Sequence, residues 1–232
     1  MTSDAATAAD WQQDRTFLPP ADFAQNANIR DPEIYSRAAE NSDAYWEEWA
    51  RQLEWVEPWH TVCEWKPPHA KWFLGGKLNV SANCLDRHLG GPRRDKRAIV
   101  WEGEPGDQRT LTYAELSREV NKFSNVLRTL GVGRGDRVTL YMPMVPEAAV
   151  AMLACTRVGA IHSVVFGGFS AESLAERTQD CSCKLIITAD GYWRRGQVVP
   201  LKKTTDEAVV QCPTVEKVVV LKRVGEAHPV EM

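Results

Sequence analysis

From Ala98 onward, short β-branched runs alternate with longer stretches whose apolar residues recur at helical spacing. Ala98–Glu102 and Arg109–Thr112 flank Glu104-Pro105-Gly106-Asp107 and predict a β-hairpin. Thr112-Tyr113-Ala114-Glu115 is a capping box; Leu116, Val120, Phe123 and Leu127 form the stripe of the helix it starts, and Gly131 closes that helix. The pattern then repeats. Strand Arg137–Tyr141 leads through Met142-Pro143-Met144-Val145-Pro146 into helix Glu147–Val158. Strand Ile161–Val165 leads through Phe166-Gly167-Gly168-Phe169 into helix Ala171–Asp180, with Ser170 as its N-cap. Strand Lys184–Thr188 leads through a loop carrying Arg194 into helix Leu201–Val210 and then strand Val215–Leu221. Strands that start about every two dozen residues, each pair separated by a helix, predict βαβ crossovers and a parallel sheet, so the fold class is α/β.

The first third reads differently. Residues 1–30 lack apolar periodicity and are expected to be irregular. Asp31-Pro32 and Asn41-Ser42-Asp43 are helix starts, the second followed by Tyr45, Trp46, Trp49 and Leu53 at helical spacing. Pro58, Pro67 and Pro68 break any longer helix, so the stretch to Gly76 is expected to run extended. Asn79–Leu89 predicts a short helix with Val80, Cys84, Leu85, His88 and Leu89 on one face, stopped by Gly90-Gly91-Pro92. Residues 1–92 are therefore an extension, mostly helical or irregular, that wraps a main domain beginning at residue 93. Seven of the nine tryptophans (Trp11, Trp46, Trp49, Trp55, Trp59, Trp65 and Trp72) fall in this extension. No periodicity arranges them as a ligand cage, and large amphipathic rings anchoring the segment are the expectation.

Composition narrows the classes. With 232 residues, 44% hydrophobic, 25% charged and a net charge of −3, the chain has globular values and no basic block for nucleic acid. No run approaches the ~18 apolar residues of a membrane span, and Met1–Asp14 has no apolar core of a secretory signal, so a cytoplasmic location is expected. Six cysteines without a CxxC are expected to be buried thiols, not zinc ligands.

Chemistry concentrates in two places. Phe166-Gly167-Gly168 lies at a strand-to-helix turn, where glycine permits close backbone approach and a helix start favours an anion; such turns also occur for packing alone. Arg194-Arg195, beside Trp193, are either a solvated pair or a bidentate phosphate grip. If strands Ile161–Val165 and Lys184–Thr188 are neighbours, a glycine turn, two aromatics and two guanidiniums meet at the carboxyl ends of a parallel sheet, where its ligands bind. That suits a phosphorylated, ring-bearing ligand. Gly131-Val132-Gly133-Arg134-Gly135 follows a helix and precedes a strand, the reverse of a dinucleotide fingerprint, and is a helix stop. Lys202, Lys203 and Asp206 are expected on a solvated helix face, and His88 and His162 as satisfied core residues. No catalytic set and no metal ligands emerge from the residues.

Several segments in order resemble the AMP-forming acetyl-CoA synthetases: Lys71–Leu89 (KWFLGGKLNVSANCLDRHL), Leu111-Thr112-Tyr113-Ala114-Glu115-Leu116, Gly135-Asp136-Arg137-Val138, Met142–Glu147 and His162–Ser170. The resemblance runs from about Trp46 to the end. It implies activation of acetate by ATP to an acetyl-adenylate, with pyrophosphate released, then acetyl transfer to CoA. It implies an adenylate-forming large domain of which 93–232 is the first, incomplete part. The ATP, magnesium and acetate sites, and the C-terminal remainder of the enzyme, would lie beyond this chain. By the same resemblance Phe166, Gly167 and Gly168 would face the adenine and ribose of CoA. Arg194 would meet its phosphates, and Arg195, Gly196 and Gln197 would complete the loop. The family often has a basic residue in place of Gln197. A propionate or other short-acid ligase, and a non-catalytic CoA- or nucleotide-binding module, are the alternatives.

Overall fold

The computed structural model describes residues 17–227, 229 and 230; the readings on Met1–Asp14 and Trp11 lie outside them. The chain divides into two compact units between Gln52 and Leu53. The first contains α1 (Ala21–Asn26), α2 (Ile34–Glu40) and α3 (Ser42–Ala50). α1 is a helix where an irregular stretch was expected. α2 starts two residues after Pro32, because Asp31 turns the chain first: its carboxylate accepts the Glu33 N–H at 2.9 Å. Asn41 caps α3, accepting the Ala44 N–H at 2.9 Å.

The second unit opens with a correction. Instead of running extended, β1 (Thr61–Lys66) and β2 (His69–Leu74) pair antiparallel, with Lys66 opposite His69. The proline pair is the two-residue turn between them, a place where no ladder donor is needed. Trp59 is edge to face with Trp55 and with Phe73, at centroid distances of 4.8 and 5.4 Å, and Trp55 and Phe73 are tilted against each other at 5.6 Å. α4 (Val80–Cys84) follows, then a single 3-10 turn at Asp86–His88. The single-face reading fails here. Ser81 and Leu85, one helical turn apart, are the buried positions, while Val80 and Cys84 are exposed. Polar bonds fasten the segment to the sheet domain. The Asn79 amide donates to the carbonyls of Thr156 and Arg157, and Arg157 grips Asp86 through two bonds of 2.8 and 3.0 Å.

β3 (Arg97–Glu102) and β4 (Gln108–Thr112) form the expected hairpin, and the Thr112–Glu115 capping box starts α5 (Tyr113–Thr129). Then come β5 (Arg137–Tyr141), α6 (Pro146–Val158), β6 (Ile161–Val164), α7 (Ala171–Asp180) and β7 (Leu185–Ala189). A small hairpin of β8 (Tyr192–Arg194) and β9 (Gln197–Val199) precedes α8 (Leu201–Val209) and β10 (Lys217–Leu221). The sheet order is β10-β7-β5-β6, and every neighbouring pair is parallel. Strand alternation sorts the core onto two faces. Val138 and Leu140 join the cluster built with α5 and α6, while Tyr141 joins Leu174, Ala175, Leu201 and Ala208 of α7 and α8. Each fully buried leucine contributes about 1.5–3 kcal/mol of transfer free energy.

Three further expectations are corrected. β6 and β7 are not neighbours, because β5 lies between them and pairs with both. Lys202 is not on a solvated face; it is 8% exposed, its ammonium held by Asp206 at 2.8 Å. Of the six thiols only Cys155, Cys183 and Cys212 are buried, while Cys84 is exposed. Burial pushes the Cys155 thiol up to about 12. Alkylation at neutral pH is therefore expected at Cys84 well before Cys155, read by mass spectrometry of peptides after short exposure to iodoacetamide.

Candidate functional site

Because β5, β6, β7 and β10 are parallel, the loops that follow them emerge on one edge of the sheet. The glycine turn follows β6 and the arginine hairpin follows β7. Although a strand separates their parents, the two loops meet: a methyl built on Gly168 would stand 3.3 Å from Nη1 of Arg194. The glycine turn lies over the end of β5, where the Tyr141 side chain reaches it.

The two glycines are not equivalent. A methyl on Gly167 would find ordinary contacts, the nearest at 3.5 Å, whereas one on Gly168 would stand 2.6 Å from the Phe166 ring. The phenyl ring folds over Gly168 and is itself 61% exposed. Phe169 is edge-on to it at 5.9 Å, with the Arg177 guanidinium 5.0 Å from the Phe169 centroid. Ser170 caps α7 as expected, accepting the Ser173 N–H at 3.3 Å. Beneath the turn lies a residue the sequence did not mark. The buried Tyr141 hydroxyl reaches the carbonyls of Phe169 at 2.7 Å and Gly167 at 3.2 Å, and burial raises its phenol above the ordinary value. Tyr141→Phe leaves both carbonyls without that donor. It is expected to cost about 1–3 kcal/mol in urea unfolding.

The loop expected around Arg194 is a tight hairpin, Arg194 opposite Gln197. Arg195 and Gly196 occupy its two turn positions at φ +54° and +74°, the left-handed pair that matches strand twist. Arg194, Arg195, Gly196 and Gln197 are all exposed. The Arg194 guanidinium makes no hydrogen bond or ion pair among the described residues; it is the group at the glycine turn. Arg195 sits at the tip of the turn. At that tip Glu104, from the β3–β4 loop, accepts the Gly196 N–H. Glu104 places a negative charge beside the cationic turn, and nothing in the chain's pattern flagged it.

Asp190, at the end of β7, is the other unmarked residue. Its buried carboxylate accepts four backbone N–H groups: Gly191 at 2.8 Å, Arg223 at 2.7 Å, Val224 at 3.0 and 3.2 Å, and Gly225 at 2.9 Å. Burial alone would raise this carboxyl, but the four donors together hold it below its ordinary value. Asp136 is also lowered, first by the Gly133 N–H, against desolvation and with help from Lys184. A carboxyl lowered in the folded state favours folding fully above its unfolded value, and that contribution is lost as pH falls through the folded value. Stability in urea is therefore expected to decline as pH drops below about 4. Asp190→Asn should flatten this decline; an unchanged acid slope would remove Asp190 from the account.

Parallel βαβ units, with core clusters on both faces of the sheet, define an open-sheet α/β protein. The chain belongs to the family of AMP-binding enzymes, which its residues 85–231 match, and residues 32–84 match the acetyl-coenzyme A synthetase N-terminus. It is 57% identical over 212 residues to the acetyl-coenzyme A synthetase of Gemmatimonas aurantiaca, covering 91% of this chain and 32% of that protein. With that of Rubrobacter xylanophilus the identity is 54% over 213 residues, covering 91% and 33%. The solved acetoacetyl-CoA synthetase from Streptomyces lividans superimposes with a TM-score of 0.78 at 29% identity, over 91% of this chain and 35% of that one. The chain thus spans about a third of the length of the curated relatives it matches.

Proposed function

We propose that this chain supplies the coenzyme A nucleotide shoulder of an AMP-forming acetate–CoA ligase. In that reaction ATP converts acetate to acetyl-adenylate and pyrophosphate. The CoA thiol then attacks the acyl carbon and AMP leaves. The juxtaposition of Gly168 and the Arg194 guanidinium at the carboxyl edge of the sheet is the observation that carries the reading. Arg194 offers a fork for a phosphate, the exposed Phe166 ring offers a face to adenine, and the missing side chain at Gly168 lets the two stand together. Gln197 adds hydrogen bonding without charge, so the electrostatic grip rests on Arg194, with Arg195 contributing to the field.

These residues bind and orient; none of them transfers a proton or attacks a substrate. Adenylation, with its ATP and magnesium, is assigned to the remaining length of the relatives. Among the described residues no three His, Cys, Asp or Glu side chains lie close enough to hold an ion. No described helix is long and apolar enough to cross a membrane.

The test is titration calorimetry of the 232-residue chain with CoA, dephospho-CoA and pantetheine, beside an assay with acetate, ATP, magnesium and CoA. Saturable CoA binding that weakens when the 3′-phosphate is removed, with no acetyl-CoA formed, is the expected result. Equal affinity for pantetheine would end the nucleotide assignment, and turnover by this chain alone would end the division of labour.

A further inference from the structure

We propose that Asp190 is a positioning residue for the cationic turn, its buried carboxylate fixing the Arg223–Gly225 backbone and, through Arg223 and the β3–β4 loop, holding the Arg194–Gln197 hairpin in place. The inference rests on the coenzyme A reading for its ligand but not for its geometry.

A chain of direct contacts runs from one to the other. Asp190 is 4% exposed and takes the N–H groups of Arg223, Val224 and Gly225. The Arg223 guanidinium then pairs with both carboxylate oxygens of Asp107 at 3.0 Å, and it lies 5.1 Å from the Trp101 ring centroid. The Trp101 indole donates in turn to the Met144 carbonyl at 2.7 Å. Gly103 has no room for a side chain in this cluster: a methyl there would fall 2.2 Å from Asp107 Oδ1 and 2.7 Å from Arg223 Nη2. The next residue, Glu104, accepts the Gly196 N–H at the tip of the turn. Each link is charged, buried or sterically closed.

The hairpin needs such a hold. It has three residue pairs, and a two-stranded ribbon of that size is not stable by itself in water. Its base is anchored where Asp190 ends β7, and its tip where Glu104 meets Gly196. Both anchors converge on Arg223. A guanidinium grips phosphate bidentately only when its plane is presented in the right place, so a residue that fixes this turn acts on affinity through Arg194 without touching ligand.

Amide hydrogen exchange on the intact 232-residue chain, its Asp190→Asn and Arg223→Gln variants, decides the matter. Asp190→Asn is expected to speed exchange about ten-fold or more at 223–225 and 194–197, leaving 166–170 unchanged. Arg223→Gln should speed 194–197 while 223–225 stay protected, and it carries the test if Asp190→Asn does not fold. CoA affinity should fall about ten-fold in Asp190→Asn, with no further loss when Asp190→Asn is added to Arg194→Ala. Faster exchange confined to 223–225, a uniform rise across the sheet, or additive losses in the double variant would overturn the proposal. If the wild-type chain binds no CoA, the ligand assignment falls, and the exchange pattern alone still upholds or refutes the positioning role.

Discussion

Replacing Arg194 by alanine is expected to weaken CoA binding about ten- to a hundred-fold, since a hydrogen bond to a charged group contributes about 1.5–3 kcal/mol. The lower end is expected, because the residue is exposed and water screens the pair. Folding should be untouched: the side chain has no hydrogen-bond or ion-pair partner to lose among the described residues. Arg194→Lys keeps the charge but not the planar fork and should fall between the two. Introduced at the matching position of a full-length relative, the alanine variant should raise the KM for CoA and leave acetate-dependent ATP–pyrophosphate exchange near normal. Equal damage to both half-reactions would show that this edge of the sheet does not serve the second half alone.

A single methyl group at Gly191 is expected to destabilise the chain by about 1–3 kcal/mol, the usual cost of overpacking a closed site. It would stand 2.8 Å from the Val199 carbonyl oxygen, 3.2 Å from Val198 Cγ1 and 3.5 Å from Val224 Cγ2. The first of these is backbone and cannot turn aside, so the β8–β9 hairpin must shift as a body. Gly191→Ala should therefore lower both the urea midpoint and CoA affinity, because Arg194 travels with the hairpin. Gly90→Ala is the control: nothing lies within 4 Å of the added atom. A Gly191→Ala chain that unfolds and binds like the parent would mean that the hairpin is looser than its contacts imply.

Much of the architecture was legible because its signals are local. The Thr112–Glu115 box, Gly131 past the end of α5 and Ser170 before α7 each act within one helical turn. The β-branched runs from Arg137 onward became strands within one to two residues of the expected bounds. The β1–β2 hairpin was missed because proline pairs read as breakers, and the sequence cannot show that the flanking strands find each other. The hairpin at Arg194 was missed because arginine is an unusual occupant of a left-handed position.

The two loops and their chemistry were visible, yet the reason they meet was not the one expected. They converge across β5, and strand order is fixed by which helices cover which face, a choice between long-range packings that no window of residues records. Tyr141, Glu104, Asp190 and Arg223 escaped notice on the same ground. Each is an ordinary residue in its own segment and matters only through partners far along the chain, such as Asp190 with Val224 or Glu104 with Gly196. The sequence by itself determined the four strands of the central sheet, their parallel character and the helices between them, since propensity, capping and period are short-range effects. Only the tertiary structure decided the order of the strands, the burial of Lys202 and the polar contacts of Asp190 and Glu104, because burial and hydrogen bonding between distant segments exist only once the chain has closed on itself.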